Sequence, residues 1–253
     1  MSHRSKHYLN PAILDAIDPA AFRAQLPYPW INPQHFIEAD RFPELLDSMP
    51  DISQFRASIN KQRKHGQASH DRYELDYEEG IELSPAWSEF VNELRSDRYR
   101  NFVCTLLGVS YIRFRLHWHF APNGSEVSPH CDSTTKLGSQ IFYLNTAEDW
   151  DWDWGGETVI LDDGGRYEPE SAPAFGDFDA EYLAKTKDNR SLIFGRQGNS
   201  WHGVRRINCP ENHYRKVFIV TFEEYRPLHM AKKRLRRLLT GAELVTDKER
   251  KIF

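Results

Sequence analysis

Residues 111–120, YIRFRLHWHF, constrain the fold of this chain more than any other stretch. Tyr111, Arg113, Arg115, His117 and His119 alternate with Ile112, Phe114, Leu116, Trp118 and Phe120. A clean period of two is the signature of a β-strand with two unlike faces. Its apolar face has to be buried against another layer of secondary structure. The chain supplies further strand candidates at 139–145, 157–161, 191–195, 201–207 and 214–223. Pro122-Asn123-Gly124, Gly155-Gly156 and Gly164-Gly165 punctuate the connections. Short strands with glycine-rich turns and few helices between them predict a β-sandwich or closed roll.

Helical patterns flank this region. Pro11 to Leu26 carries Ile13, Leu14, Ile17, Phe22 and Leu26 at helical spacing, and 42–49 is a second short candidate. A longer helix is predicted from Ser84 as N-cap and Pro85 at the first helical position, running to Leu107 and stopping at Gly108. Residues 60–83, polar and tyrosine-rich, read as a long ordered loop, and 163–190 as a Pro/Asp-rich insertion. Residues 228–240 (LHMAKKRLRRLLT) read as a basic amphipathic helix whose charged side is solvated. The expected organisation is one structural unit: a mostly helical N-terminal extension over 1–109, a β core over 110–225, and a basic C-terminal helix and tail over 226–253. A length of 253 residues suits one elaborated domain.

Composition removes several function classes. With 40% hydrophobic and 28% charged residues the chain is ordinary globular material. A net charge of −4 gives no pull toward nucleic acid or anionic lipid, and no run approaches the ~18 apolar residues of a membrane span. Cys104, Cys131 and Cys209 form no CxxC pair, which suggests neither a disulfide framework nor a thiolate zinc site. A soluble, reduced, cytoplasmic protein is expected.

His130-Cys131-Asp132 is the first candidate for chemistry. On an extended chain its His and Asp project to one face about 6.5–7 Å apart. An imidazole and a carboxylate so placed can give two ligands of a 2-His-1-carboxylate metal site. With 11 histidines and 37 acidic residues in the chain, such a motif arises by chance once or twice. A third ligand must come from elsewhere. His202, in the β-like NSWHGVRRI, is the best candidate, and the pair His117 and His119 competes by the same spacing logic. His65 and His70 read as surface residues of the polar loop.

The order of elements, His130-x-Asp132, IFYLN, WGGET, SLIFG, WHGV and RKVFIVTF, resembles the iron(II)/2-oxoglutarate dioxygenases, in particular the prolyl 4-hydroxylase-like branch. The resemblance covers 110–225, somewhat under half of the chain, and leaves both helical flanks outside it. It implies a mainly β fold with flanking helices, built on a double-stranded β-helix (jelly-roll, cupin-like) core. It implies further that His130, Asp132 and His202 are the catalytic metal ligands holding Fe(II). The cosubstrates would be 2-oxoglutarate and O2, with ascorbate a candidate stimulant. Oxidative decarboxylation would yield succinate and CO2 together with hydroxylation of an unactivated C–H bond.

By the same resemblance Arg215, in YRKVFIVTF, matches the cation that binds the distal carboxylate of 2-oxoglutarate, and Tyr143, in IFYLN, matches a tyrosine that contacts it. A guanidinium fork suits that carboxylate. Arg206 is the alternative, about 13 Å along the strand from His202. Phe120 stands where relatives often carry a tyrosine near the iron. The carboxylate of Asp132 argues for oxygen transfer, since related halogenases have a small residue there. Cys131 should point away from its neighbours as a core residue, while Glu157 and Thr158 fit a hairpin edge. Of Trp150, Trp152 and Trp154, at least two should pack. A small-molecule substrate (an amino acid, sugar or secondary metabolite) is preferred, with a peptidyl prolyl substrate and a non-catalytic β-roll binding a metal or a partner as the alternatives. Neither nucleic acid nor membrane is expected as a partner. Residues 60–83 and 163–190 should select the substrate.

Overall fold

The structure is a computed structural model that describes residues 5–63 and 67–224. The expected basic helix at 228–240 and His65 lie outside the described residues. In chain order the elements are α1 (Pro11–Ala16), α2 (Pro19–Ala24), β1 (Trp30–Ile31), α3 (Phe42–Asp47), β2 (Arg56–Ser58), β3 (Arg72–Asp76), α4 (Pro85–Leu94), α5 (Asp97–Leu107), β4 (Ile112–Ala121), β5 (Val127–His130), β6 (Lys136–Tyr143), β7 (Thr158–Asp162), β8 (Ala180–Ala184), β9 (Ser191–Gly195), β10 (His202–Val204) and β11 (Arg215–Glu224).

Two antiparallel sheets form a double-stranded β-helix. The larger has the order β1-β9-β6-β11-β4-β3-β2 and the smaller β5-β10-β7-β8. Strand β4 keeps the alternation of its sequence. Leu116, Trp118 and Phe120 enter the main core with Trp87, Phe90, Val91, Tyr99 and Val103 of α4 and α5. Its other face looks into the space between the sheets. Register carries that inner face across the larger sheet: His119 opposes Val217 and Glu74, His117 opposes Ile219 and Asp76, and Val217 in turn opposes Tyr143. Tyr143, Leu192, Phe194 and Val217 meet Ile160 and Ala184 of the smaller sheet there.

The main core is aromatic. Trp87, wholly buried, lies edge-on to Trp118 and Phe218 with ring centroids 5.0 and 5.1 Å away, and its indole N–H donates to Leu45 O. Such a residue joins a large apolar area to a satisfied polar tip.

Several expected elements differ in detail. The helix over 11–26 is two helices, because Asp18 precedes Pro19 and is held extended, where its carboxylate caps α2. The helix expected from 84 to 107 breaks at Arg95-Ser96, where Ser96 caps α5 by accepting from Tyr99 N. Gly108 ends it in the left-handed conformation. The loop expected over 60–83 contains β3, which pairs with β2 and β4, so the first 109 residues contribute three strands to the larger sheet as well as helices. The insertion at 163–190 is ordered by Asp163, fully buried, whose carboxylate accepts from Gly165 N and Tyr167 N. Tyr167, Phe175 and Phe178 then pack on Val159, Leu161 and Trp201. That is the outer face of the smaller sheet, opposite to the one that carries Ile160. The part of the insertion before β8 therefore covers the back of the roll, while β8 extends the smaller sheet and brings Ala184 to the interior. No helix among the described residues is long and apolar enough to cross a membrane.

Candidate metal centre

His130, Asp132 and His202 come together at the inner face of the smaller sheet, each offering one ligand atom, with all three atoms within 4.8 Å of one another. Strand pairing accounts for the two histidines. His202 on β10 lies directly opposite His130 on β5 and Ile160 on β7, and directly opposed residues share a face. The imidazole centroids are 4.4 Å apart, and Phe194 closes the far side of His202 at 4.7 Å.

Each imidazole is turned by a carbonyl two residues earlier. His130 Nδ1 donates to Ser128 O at 2.9 Å, and His202 Nδ1 donates to Ser200 O at 3.0 Å. A proton held on Nδ1 leaves Nε2 with its lone pair, the tautomer a metal ligand requires. Burial pushes His130 down to about 3, the neighbouring His202 adding to it against Asp132 and the Ser128 carbonyl. Burial also lowers His202, against the opposing effect of Asp132. Both rings are thus neutral near pH 7.

Asp132 lies past the end of β5, and two cations fix it. Lys136 Nζ donates to Oδ1 at 2.7 Å, and Arg196 Nε donates to its main-chain oxygen at 3.1 Å. Burial would raise the carboxyl, but Lys136, His202 and His130 together hold it well below the usual carboxylate range. Two neutral imidazoles and one carboxylate, all deprotonated at their ligand atoms, fit a divalent transition metal and leave its other positions to exchangeable ligands.

Arg215 and Tyr143 face the same interior. Arg215 is 8% exposed; its Nε donates to Gly156 O at 2.6 Å and its Nη2 to Thr158 Oγ1 at 2.9 Å. Tyr143 OH donates to the same Thr158 oxygen at 2.9 Å, with the guanidinium 5.4 Å from its ring centre. Burial raises the phenol of Tyr143 against the lowering effect of Arg215, so it remains a donor. Gly156 has φ +82°, and a Cβ there would meet Arg215 Cδ at 3.0 Å; the glycine lets the guanidinium lie against the chain. Thr158, expected at a hairpin edge, is therefore the acceptor that aligns both groups.

The remaining candidates fall elsewhere. His117 and His119 sit 4.6 Å apart on β4, outside the only metal-competent cluster among the described residues. Arg206 is exposed, beside Gly124. Cys131 packs on the outer face, and burial pushes its thiol up to about 12. Trp150 and Trp154 pack together at 5.4 Å, while Trp152 is exposed under Lys187. Phe120 packs on Phe55 with centroids 4.5 Å apart, inside the main core.

His70 corrects the sequence reading. Expected at the surface, it is 8% exposed, its ring centre 5.1 Å from that of His130. Its neighbour β3 carries it there; Arg72, Glu74 and Asp76 alternate with Tyr73 and Leu75, a signal of the strand that is short and set within a polar run. Lys136 was also missed, although a lysine four residues after Asp132 is a signal the sequence contains.

Residues 115–222 match the family model of the 2OG-Fe(II) oxygenase superfamily. No curated protein matches the chain in sequence. Among solved structures the chain is similar to a prolyl-4-hydroxylase of Pseudomonas putida, at 16% identity and a TM-score of 0.56 over 82% of this chain and 98% of that one. It is similar to a Trichoplax adhaerens prolyl hydroxylase in complex with a hypoxia inducible factor peptide, at 14% identity and a TM-score of 0.53 over 77% and 83%. It is also similar to HygX of Streptomyces hygroscopicus with nickel, 2-oxoglutarate and hygromycin B bound, at 10% identity and a TM-score of 0.51 over 77% and 82%. At these identities the likeness is one of fold.

Proposed function

We propose that the chain is a member of the 2OG-Fe(II) oxygenase superfamily, whose model matches residues 115–222, and that with Fe(II), 2-oxoglutarate and O2 it hydroxylates a C–H bond of a small molecule. His130, Asp132 and His202 hold the iron through Nε2, a carboxylate oxygen and Nε2. The observation that carries this assignment is the pair of Nδ1–carbonyl bonds at Ser128 and Ser200, which commit both imidazoles to the ligand tautomer. When bound, the iron lets dioxygen be reduced at the expense of 2-oxoglutarate, which leaves as succinate and CO2.

The protein's own residues orient and shield. Lys136 occupies one oxygen of Asp132, which would leave the other for the metal. Arg215 and Tyr143, aligned by Thr158, bind the distal carboxylate of 2-oxoglutarate. The guanidinium stays charged, and Tyr143 supplies a neutral donor beside it. Phe194 keeps water from the far side of His202. A small substrate is supported by the close-packed polar wall of β3 and β4, where Arg72 holds Glu74 and Arg115 holds Asp76.

The test is substrate-dependent succinate formation in an extract of host metabolites, read together with a product 16 Da heavier. His130→Ala and Asp132→Ala should each abolish it; unchanged turnover in either variant contradicts the ligand assignment. A prolyl peptide hydroxylated in preference to every small molecule would replace the substrate reading.

A further inference from the structure

Resting on the iron and 2-oxoglutarate reading above, we infer that Arg63 and His70, on the loop between β2 and β3, bind a carboxylate carried by the substrate. The substrate is then a free organic acid or amino acid.

Buried side-chain nitrogens in native proteins nearly always have a partner. Two on this loop do not: His70 Nε2, on a residue 8% exposed, and Arg63 Nε. His70 lies beside the metal ligands. The His70 ring is 5.1 Å from that of His130, and Arg63 is within electrostatic reach of both Asp132 and His70. Hydrogen bonds fix the loop on either side of His70. Ala68 N donates to Ser128 Oγ at 2.9 Å, beside the carbonyl that orients His130, and Arg72 Nη1 donates to His70 O at 2.9 Å. His70 is held in place with its Nε2 unpartnered, and Arg63 Nε is unpartnered as well.

The charges around them say what is missing. Glu74 is taken by Arg56 and Arg72, Asp76 by Arg115, and Asp132 by Lys136 and the metal. Among the described residues Arg63 forms no ion pair, and a divalent metal on the three ligands would add positive charge to this side of the site. An anion completes this corner. The distal carboxylate of 2-oxoglutarate does not supply it, since Arg215, Tyr143 and Thr158 form a separate cradle on β11, β6 and β7. A neutral sugar or an internal peptide residue brings no charge; a free carboxylate matches the guanidinium and an imidazole N–H.

The probe is acetate, with acetamide as its neutral counterpart, titrated into zinc-loaded protein saturated with 2-oxoglutarate. The readout is the His70 ring 1H–15N resonance, assigned by its loss in His70→Gln. Acetate should shift that resonance saturably and acetamide should not. Arg63→Gln should weaken the acetate response at least tenfold, and Arg63→Lys should restore part of it. Equal shifts with both probes, no shift with either, or an acetate affinity unchanged in Arg63→Gln would overturn the inference. So would a tenfold loss of 2-oxoglutarate affinity in Arg63→Gln with the acetate response intact, which would assign the pair to the cosubstrate. Failure of wild-type protein to bind 2-oxoglutarate, read separately from the anaerobic Fe(II) spectrum, overturns the parent reading and the inference with it.

Discussion

The two halves of the inner face of the larger sheet are built on opposite principles. The half formed by β6, β9 and β11 carries Tyr143 and Arg215 among apolar residues, with Ser139 and Thr221 at its other end, and the bonds of Tyr143 and Arg215 to Thr158 and Gly156 are complete before any ligand arrives. The half formed by β3 and β4 carries Arg72, Glu74, Asp76, Arg115, His117 and His119, and it leaves His117 Nδ1 without a partner, as His70 Nε2 is beside it. A wall whose polar groups are already paired suits a reagent that is the same at every turnover. A wall that keeps an unpartnered imidazole nitrogen among its ion pairs leaves a group free for the molecule that differs between relatives sharing the fold. The metal ligands stand on the smaller sheet, facing both.

The comparison can be broken at either half. The largest effect belongs to the ligands both halves serve: His130→Ala should remove substrate-dependent succinate formation, a larger loss than the roughly 10–100-fold typical of removing a group that merely orients a ligand. Next comes Arg215→Met, which strips the charged donor from the paired half; 2-oxoglutarate affinity, measured by titration, should fall roughly 10–100-fold. The open half should show itself in pH dependence. Burial, aided by Arg115, pushes His117 down to about 3 from 6.5. The unfolded imidazole takes up a proton as pH falls through 6.5, whereas the folded one does so only near 3, so stability present at neutral pH is lost across that window. Between pH 7.5 and 5.5 metal-free protein should lose about 1.4 kcal/mol through this residue, and urea unfolding of His117→Gln should show a correspondingly shallower dependence. The smallest effect is Thr158→Val, which leaves Tyr143 OH and Arg215 Nη2 without their acceptor and should weaken 2-oxoglutarate by about 1 kcal/mol, roughly fivefold.

The paired half was legible in the sequence and the open half was not, for a physical reason. Tyr143 and Arg215 sit on long strands whose pattern survives local noise, and their order along the chain with His202 matches a family. What aligns them was harder to read, since Thr158 and Gly156 reach Arg215 from a different sheet. His70 and Arg63 lie on a polar connection whose position is set by β3, a five-residue strand paired with β4, whose alternation of Tyr73 and Leu75 with Arg72, Glu74 and Asp76 is too short to stand out from the polar residues around it. The break at Ser96 was readable in retrospect as a serine cap followed by Asp97, but the continuous apolar row masked it. The insertion at 163–190 misled for the opposite reason: its Pro and Asp content suggests a loop at the site, while its aromatics bury against Trp201 on the far side.

On the proposed reading His130, Asp132 and His202 hold iron in reach of a 2-oxoglutarate bound by Arg215. Anaerobic addition of Fe(II) and then 2-oxoglutarate to the wild-type protein tests it most directly. A weak visible charge-transfer band should appear, saturate with one 2-oxoglutarate per chain, vanish in Asp132→Ala and require far more cosubstrate in Arg215→Met. Well-folded, iron-loaded protein that gives no such band would contradict the account and leave a metal-binding β-roll in its place.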